Sequence, residues 1–101
     1  MTKAEREFQL RVREVGCIAC IVRFGWQAGL PGDIHHLLRG GRRIGEMHVL
    51  CLCPAHHRGG SREGFVSRHP WKSAFVHAYG TEKSLLKLTQ RLVSEREKLT
   101  V

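Results

Sequence analysis

No run of apolar residues in this 101-residue chain approaches the roughly 20 that a membrane-spanning helix needs. The first seven residues, Met1-Thr2-Lys3-Ala4-Glu5-Arg6-Glu7, hold no apolar h-region, so secretory export is not expected. Repeats, low-complexity segments and a linker long enough to divide the chain are missing too, which leaves a single domain over residues 1–101. Acidic residues are scarce: nine Asp plus Glu face 17 Lys plus Arg, a formal net charge of +8. A surplus of that size favours a polyanionic partner, nucleic acid ahead of a membrane surface, and is silent about fold. A chain this short buries only about two thirds of its unfolded surface, so a structural metal would add materially to a limited core.

Cysteine and histidine are what the chain does have, and most of them fall into three clusters. These are Cys17-Ile18-Ala19-Cys20, Asp33-Ile34-His35-His36 and Cys51-Leu52-Cys53-Pro54-Ala55-His56-His57. With no export signal, a reduced cytoplasmic setting and metal ligation are favoured over two disulfides.

The coarse element pattern is helix, ββ hairpin, helices, an α+β domain. Residues 3–14 read as a helix with Thr2 as N-cap and Gly16 as the stop. The cysteine turn at 17–20 leads into an irregular Gly/Pro stretch through Gly32. Ile34 to Leu38 is a short strand, Arg39 to Arg43 a mobile basic loop, and His48 to Cys53 a second strand ended by Pro54. After Gly59-Gly60, Pro70 suits the first turn of a helix that Gly80 closes. Thr81 then caps a last helix with Leu85, Leu88, Leu92, Val93 and Leu99 on one face. Phe24, Trp26, Trp71, Phe75 and Tyr79 are expected in the core.

Zinc favours four N or S ligands in a tetrahedron, and two short turns with two residues between partners aim four side chains at one ion. Cys17 with Cys20 and Cys53 with His56 are those turns, so a structural Zn²⁺ staples the hairpin to the helical start. Cys51 shares a strand face with Cys53; it replaces Cys53 as a ligand or is a small core residue.

Adjacent histidines in a strand point to opposite sides, so His35 and His36 do not bind one ion together. They can divide phosphodiester hydrolysis instead: one holds a divalent cation, and the other takes a proton from water. His57, just after the zinc turn, supplies a second ligand to that cation. Asp33 is an outer carboxylate fixing His35 or a loop residue. Arg39, Arg42, Arg43 and Arg58 are phosphate contacts or an ordinary solvated surface. His77 is structural or solvated.

The order His35-His36, His48 five residues before Cys53, and His57 nine residues after His48 resembles the HNH or ββα-metal nuclease motif. That resemblance implies a zinc-stapled HNH-like domain with flanking helices, with His36 as general base and His35 and His57 as ligands of a catalytic cation, Mg²⁺ or another divalent ion. His48 stands where the motif usually has an asparagine that holds the loop and orients the base. The motif's third ligand position falls on Ser61, a poor donor. Lys3-Ala4-Glu5-Arg6-Glu7, Gly16-Cys17-Ile18-Ala19-Cys20, Asp33-Ile34-His35-His36-Leu37, Leu52-Cys53-Pro54-Ala55-His56-His57-Arg58 and Tyr79-Gly80-Thr81-Glu82 are together similar to the phage-type RecA-dependent nuclease family, the recombination enhancement factors. From this follows His69 as the third cation ligand, the bland alternative being a plain helix N-terminus. The same resemblance implies DNA and the RecA filament as partners, cutting at displacement loops, and a phage or prophage protein in the cytoplasm of a bacterial host.

The expectation is a metal-dependent DNA endonuclease leaving 5′-phosphate and 3′-hydroxyl ends. The rivals are a zinc-stapled DNA-binding or adaptor module without catalysis, and a transition-metal storage or sensing protein.

Overall fold

The computed structural model describes residues 1–25, 29–58, 66–69 and 72–99. Helix α1 (Lys3–Val15) opens on a reciprocal cap: the Glu5 amide donates to Thr2 Oγ1 at 3.1 Å, and the Thr2 amide donates to Glu5 Oε1 at 2.7 Å. The helix stops at Gly16, whose φ of 87° suits glycine, and a Cβ there would stand 2.5 Å from the carbonyl oxygen of Gly29. Across this close crossing the Cys17 amide donates to Leu30 O at 2.8 Å, which fixes where the first cysteine turn begins.

The stretch after Cys20 is less irregular than its composition implies. Ile18–Phe24 forms helix α2, because Ile18, Ala19, Cys20 and Ile21 make a short apolar run that packs into the core, and Gly25 ends it. Phe24, expected inside, is 55% exposed: it sits in the last turn, past the edge of the core, with the Arg23 guanidinium 5.3 Å from its ring centre. Trp26 and Trp71 lie outside the described residues, as do Ser61, Gly59-Gly60 and Pro70.

Strands β1 (Asp33–His36) and β4 (Val49–Leu52) pair antiparallel, with Asp33 opposite Leu52 and His36 opposite Val49. The connection between them is not the loose basic loop expected. Leu38–Arg39 (β2) and Arg42–Arg43 (β3) pair as a second small ladder, joined by Gly40 and Gly41 at φ 58° and 78°. Positive φ at both central residues is what a two-residue hairpin turn requires, and only the two glycines supply it without strain. β4 is buried along its whole length, with α1, α2 and α5 all packed on it, which explains its unbroken Val-Leu-Cys-Leu run. Cys51, in that strand, is a core thiol that burial pushes up to about 12.

Pro54–His57 makes a one-turn helix α3, with Pro54 in its first turn. Lys72–Tyr79 (α4) buries Phe75 and Tyr79 and ends at Gly80, and Glu82–Leu99 (α5) starts where Thr81 Oγ1 accepts the Ser84 amide at 3.1 Å. Leu85, Leu86, Thr89 and Val93 are the buried residues of α5, with Leu88 and Leu92 packed beside them; the Leu99 side chain is outside the description. The hydroxyl of Thr89 is satisfied within its own helix, donating to Leu85 O at 2.8 Å.

Candidate metal centres

Two groups of side chains that could hold a metal ion stand out among the described residues, and α3 contributes to both. The first unites Cys17 and Cys20, at the start of α2, with Cys53 and His56, around the start of α3. All four are essentially sealed from solvent, and no cysteine is in a disulfide. His56 Nδ1 lies 3.4 Å from the sulfurs of Cys17 and Cys20 and 3.2 Å from that of Cys53, and the sulfurs of Cys20 and Cys53 are 3.9 Å apart. A tetrahedron around zinc has S···S edges of about 3.8 Å and S···N edges of about 3.6 Å. The donor set and its spacing therefore fit a metal ion such as zinc.

The surroundings agree with that reading. Burial raises the Cys17 and Cys20 thiols well above their ordinary range, so closely packed thiolates need a cation to form. Burial, aided by Arg23, lowers His56 to about 4, so its ring is neutral and keeps a lone pair. His56 Nε2 lies 2.9 Å from Tyr79 Oη, which also accepts the Val66 amide at 3.2 Å. With Nε2–H donated to the phenol, Nδ1 faces the sulfurs as an acceptor, the outer-sphere arrangement that fixes a ligating histidine. Tyr79 is core, as expected, and its hydroxyl also meets the His56 ring.

The second group is His35, His57 and His69, whose donor atoms lie within 4.8 Å of one another. Their ring centres form a near-equilateral triangle of 5.4, 5.4 and 5.3 Å. Backbone pairing delivers His69, since its amide donates to His57 O at 2.9 Å and the adjacent Arg68 amide donates to His56 O. The Ser67 hydroxyl, fully buried, ties the same short segment by donating to His69 O at 2.8 Å. Burial, neighbouring imidazoles and Arg58 all lower His57; burial and Arg68 lower His69. Three imidazoles crowded around one point are suited to sharing a cation.

Glu82 is the residue that sequence reasoning missed here. Its Oε2 lies 3.1 Å from His35 Nε2, and its Oε1 accepts from Arg68 Nε at 3.0 Å. The His35 bond, with Arg68 behind it, holds Glu82 down near about 2 against the effect of burial. The tautomer that this pairing favours places the His35 lone pair on Nδ1. Asp33, the expected partner of His35, is instead 3.9 Å from His57 Nδ1 and largely exposed. Two residues of strand span about 6.6 Å, beyond the reach of its short side chain, whereas α5 presents Glu82 from across the site.

His36 is the last residue of β1 and is half-buried. Its Nε2 lies 3.1 Å from Glu46 Oε2, and Gln9 holds Glu46 in turn, donating to its carbonyl oxygen at 2.7 Å and to Oε2 at 3.0 Å. His36 Nδ1 has no hydrogen bond among the described residues. No hydrogen bond joins His48 to His36 among the described residues: the His48 backbone pairs with Gly45 and Leu37, and the residue lines a groove beside α5. The carboxylate that His36 meets is Glu46, held by Gln9 of α1. Arg39, Arg42, Arg43 and Arg58 are exposed, the first three on the β2–β3 hairpin and Arg58 beside His57. No described helix is long and apolar enough to cross a membrane.

These features define a small mixed helix-and-sheet protein with a buried Cys₃His cluster that could hold a metal ion such as zinc, and a separate three-histidine group. Residues 1–94 match the family described as recombination enhancement, RecA-dependent nuclease, and the chain belongs to that family. No curated protein and no solved structure shows a significant match.

Proposed function

We propose that this protein is a metal-dependent DNA endonuclease of the HNH, ββα-metal type that acts with RecA in recombination. The observation that carries the reading is the second histidine group: His35, His57 and His69 converge at a point separate from the Cys₃His cluster. A binding module stapled by zinc has no use for such a group. Family membership supports nuclease chemistry and a role beside RecA.

In this reading Cys17, Cys20, Cys53 and His56 would hold a structural zinc, and His35, His57 and His69 would hold a divalent ion, for which three imidazoles suit a transition metal better than the Mg²⁺ that the resemblance implies. A divalent cation at the trio supplies charge stabilisation for the phosphoryl oxygens and the departing 3′ oxygen. Glu82 keeps the His35 ring turned so that one nitrogen stays free as a donor. His36 serves as general base: its Nε2–H is engaged by Glu46, so the basic lone pair resides on Nδ1, which is open to accept a proton from water. Arg58, beside the trio, and the Arg39, Arg42 and Arg43 hairpin contact phosphates and hold the strand without reading its sequence.

The test is cleavage of supercoiled, single-stranded and RecA-paired DNA by zinc-loaded protein across several divalent ions. Cation-dependent cutting supports the proposal. DNA binding without cutting under every condition assigns the protein to the non-catalytic class.

A further inference from the structure

An open groove of about 580 Å³ runs between the β2–β3 hairpin and helices α4 and α5. Its floor is apolar, made by Leu38 and Ile44 from the hairpin side and Val76 and Leu86 from the helices. Leu38 and Ile44 stay 55% and 36% exposed, so the core has no claim on them. The rim is cationic: Arg39, Lys72, Lys83 and Lys87 line it, and none has an ion-pair partner among the described residues. Glu82 is the sole acid among the described residues of the lining, and His35 and Arg68 already engage it. Through Glu82 the groove abuts the three-histidine group, since the same carboxylate serves both.

We infer that this groove binds an unpaired DNA strand and leads it to the three-histidine group. The directional part of that statement rests on the nuclease reading; the binding part does not. Duplex DNA presents phosphates and sugars outward and would leave the apolar floor wet. An unpaired strand exposes base faces as well, so it can cover Leu38 and Ile44 while its phosphates meet the rim. Lys83 and Lys87 are one turn apart on α5, about 6 Å along the axis, which suits successive phosphates of an extended strand. His48 and Gln90 add hydrogen-bonding groups for base edges within the same lining.

The experiment measures binding of a labelled oligonucleotide of about 12 nucleotides, unpaired or as duplex, to zinc-loaded protein without added divalent cation, across a salt series. Lys83→Gln with Lys87→Gln keeps helix propensity and tests the rim; Leu38→Ser with Ile44→Ser tests the floor, and melting curves check that each variant folds. The lysine pair should lower affinity for the unpaired strand by on the order of tenfold and flatten its log–log salt slope by about 1.4. The serine pair should weaken the unpaired strand several-fold and leave duplex binding unchanged. The inference is overturned by wild-type affinity and slope in the lysine variant, or by equal losses for both DNA forms in the serine variant. It is equally overturned if the lysine variant loses capture by RecA filaments while keeping oligonucleotide affinity, which would assign the groove to a protein. No arm requires cutting, so protein that binds in this way but never cuts counts against the nuclease reading alone.

Discussion

His35 Nε2 and Glu82 Oε2 stand 3.1 Å apart although 47 residues separate them in sequence, and this pair ties β1 to the start of α5. It also joins three functions in one place: the ring of a candidate cation ligand, the anchor of Arg68 and the wall of the groove.

Glu82→Gln tests that junction. The amide is nearly isosteric but leaves Arg68, itself mostly buried, without its counter-charge, at a cost of about 1–3 kcal/mol. For a domain of this size the melting temperature should fall by several degrees. Divalent-ion affinity, read by calorimetry, should weaken by roughly 10–100-fold while zinc content holds. Unchanged cation affinity would reduce Glu82 to a structural tie.

Zinc removal should unfold the protein. The four cluster residues are buried around the starts of α2 and α3, and repacking around empty thiols leaves a small core without its staple. Metal analysis should give one zinc per chain, and circular dichroism should show loss of helix on strong chelation. Cys17→Ser with Cys20→Ser should do the same, whereas Cys51→Ser should keep the zinc, because Cys51 lies outside the cluster. A melting curve unaltered by chelation would contradict the staple.

The hairpin turn offers a backbone test. A Cβ at Gly40 or Gly41 meets no atom within 4 Å, so substitution to alanine costs only what positive φ costs, about 1–2 kcal/mol per position. That strain should loosen β2–β3 locally, visible as faster amide exchange at Leu38–Arg43, with little change in β1–β4. Gly16→Ala differs in kind: its Cβ would collide with Gly29 O, so global stability should fall and zinc retention with it.

Arg42→Ala with Arg43→Ala should weaken DNA binding uniformly across sequences and flatten the salt slope by about 1.4–1.8, depending on strand number. Both side chains are exposed at the end of the β2–β3 ladder. An unaltered slope would leave them as solvated surface.

Much of this was legible in the chain itself. Two turns with two intervening residues bring Cys17, Cys20, Cys53 and His56 together because the metal donors sit at turn ends, where spacing alone sets geometry. Thr2 and Thr81 cap their helices because the cap is a local interaction. The convergence of His69 with His35 and His57 entered only through family resemblance, since backbone pairing to α3 places it and no short-range pattern encodes that. Glu82 escaped notice for a related reason: an acid in the first turn of a helix is already accounted for by the helix dipole. Glu46 and Gln9 escaped because their meeting with His36 depends on how α1 lies against the turn before β4. The β2–β3 hairpin was hidden by its arginines, although Gly40-Gly41 was the signal for a two-residue turn.

The most direct test of the account is DNA cleavage by wild type, His57→Ala and His36→Ala against divalent-ion concentration, with zinc content and DNA binding measured on the same samples. The account predicts that all three keep zinc and bind DNA. His57→Ala should lose cutting at low cation and regain part of it in excess, because a ligand of the cation is gone. His36→Ala should cut about 10²–10⁴-fold more slowly at every cation concentration, since no ion replaces a missing base. Wild-type cutting rates in both variants, with zinc retained, would contradict the assignment of the histidine site.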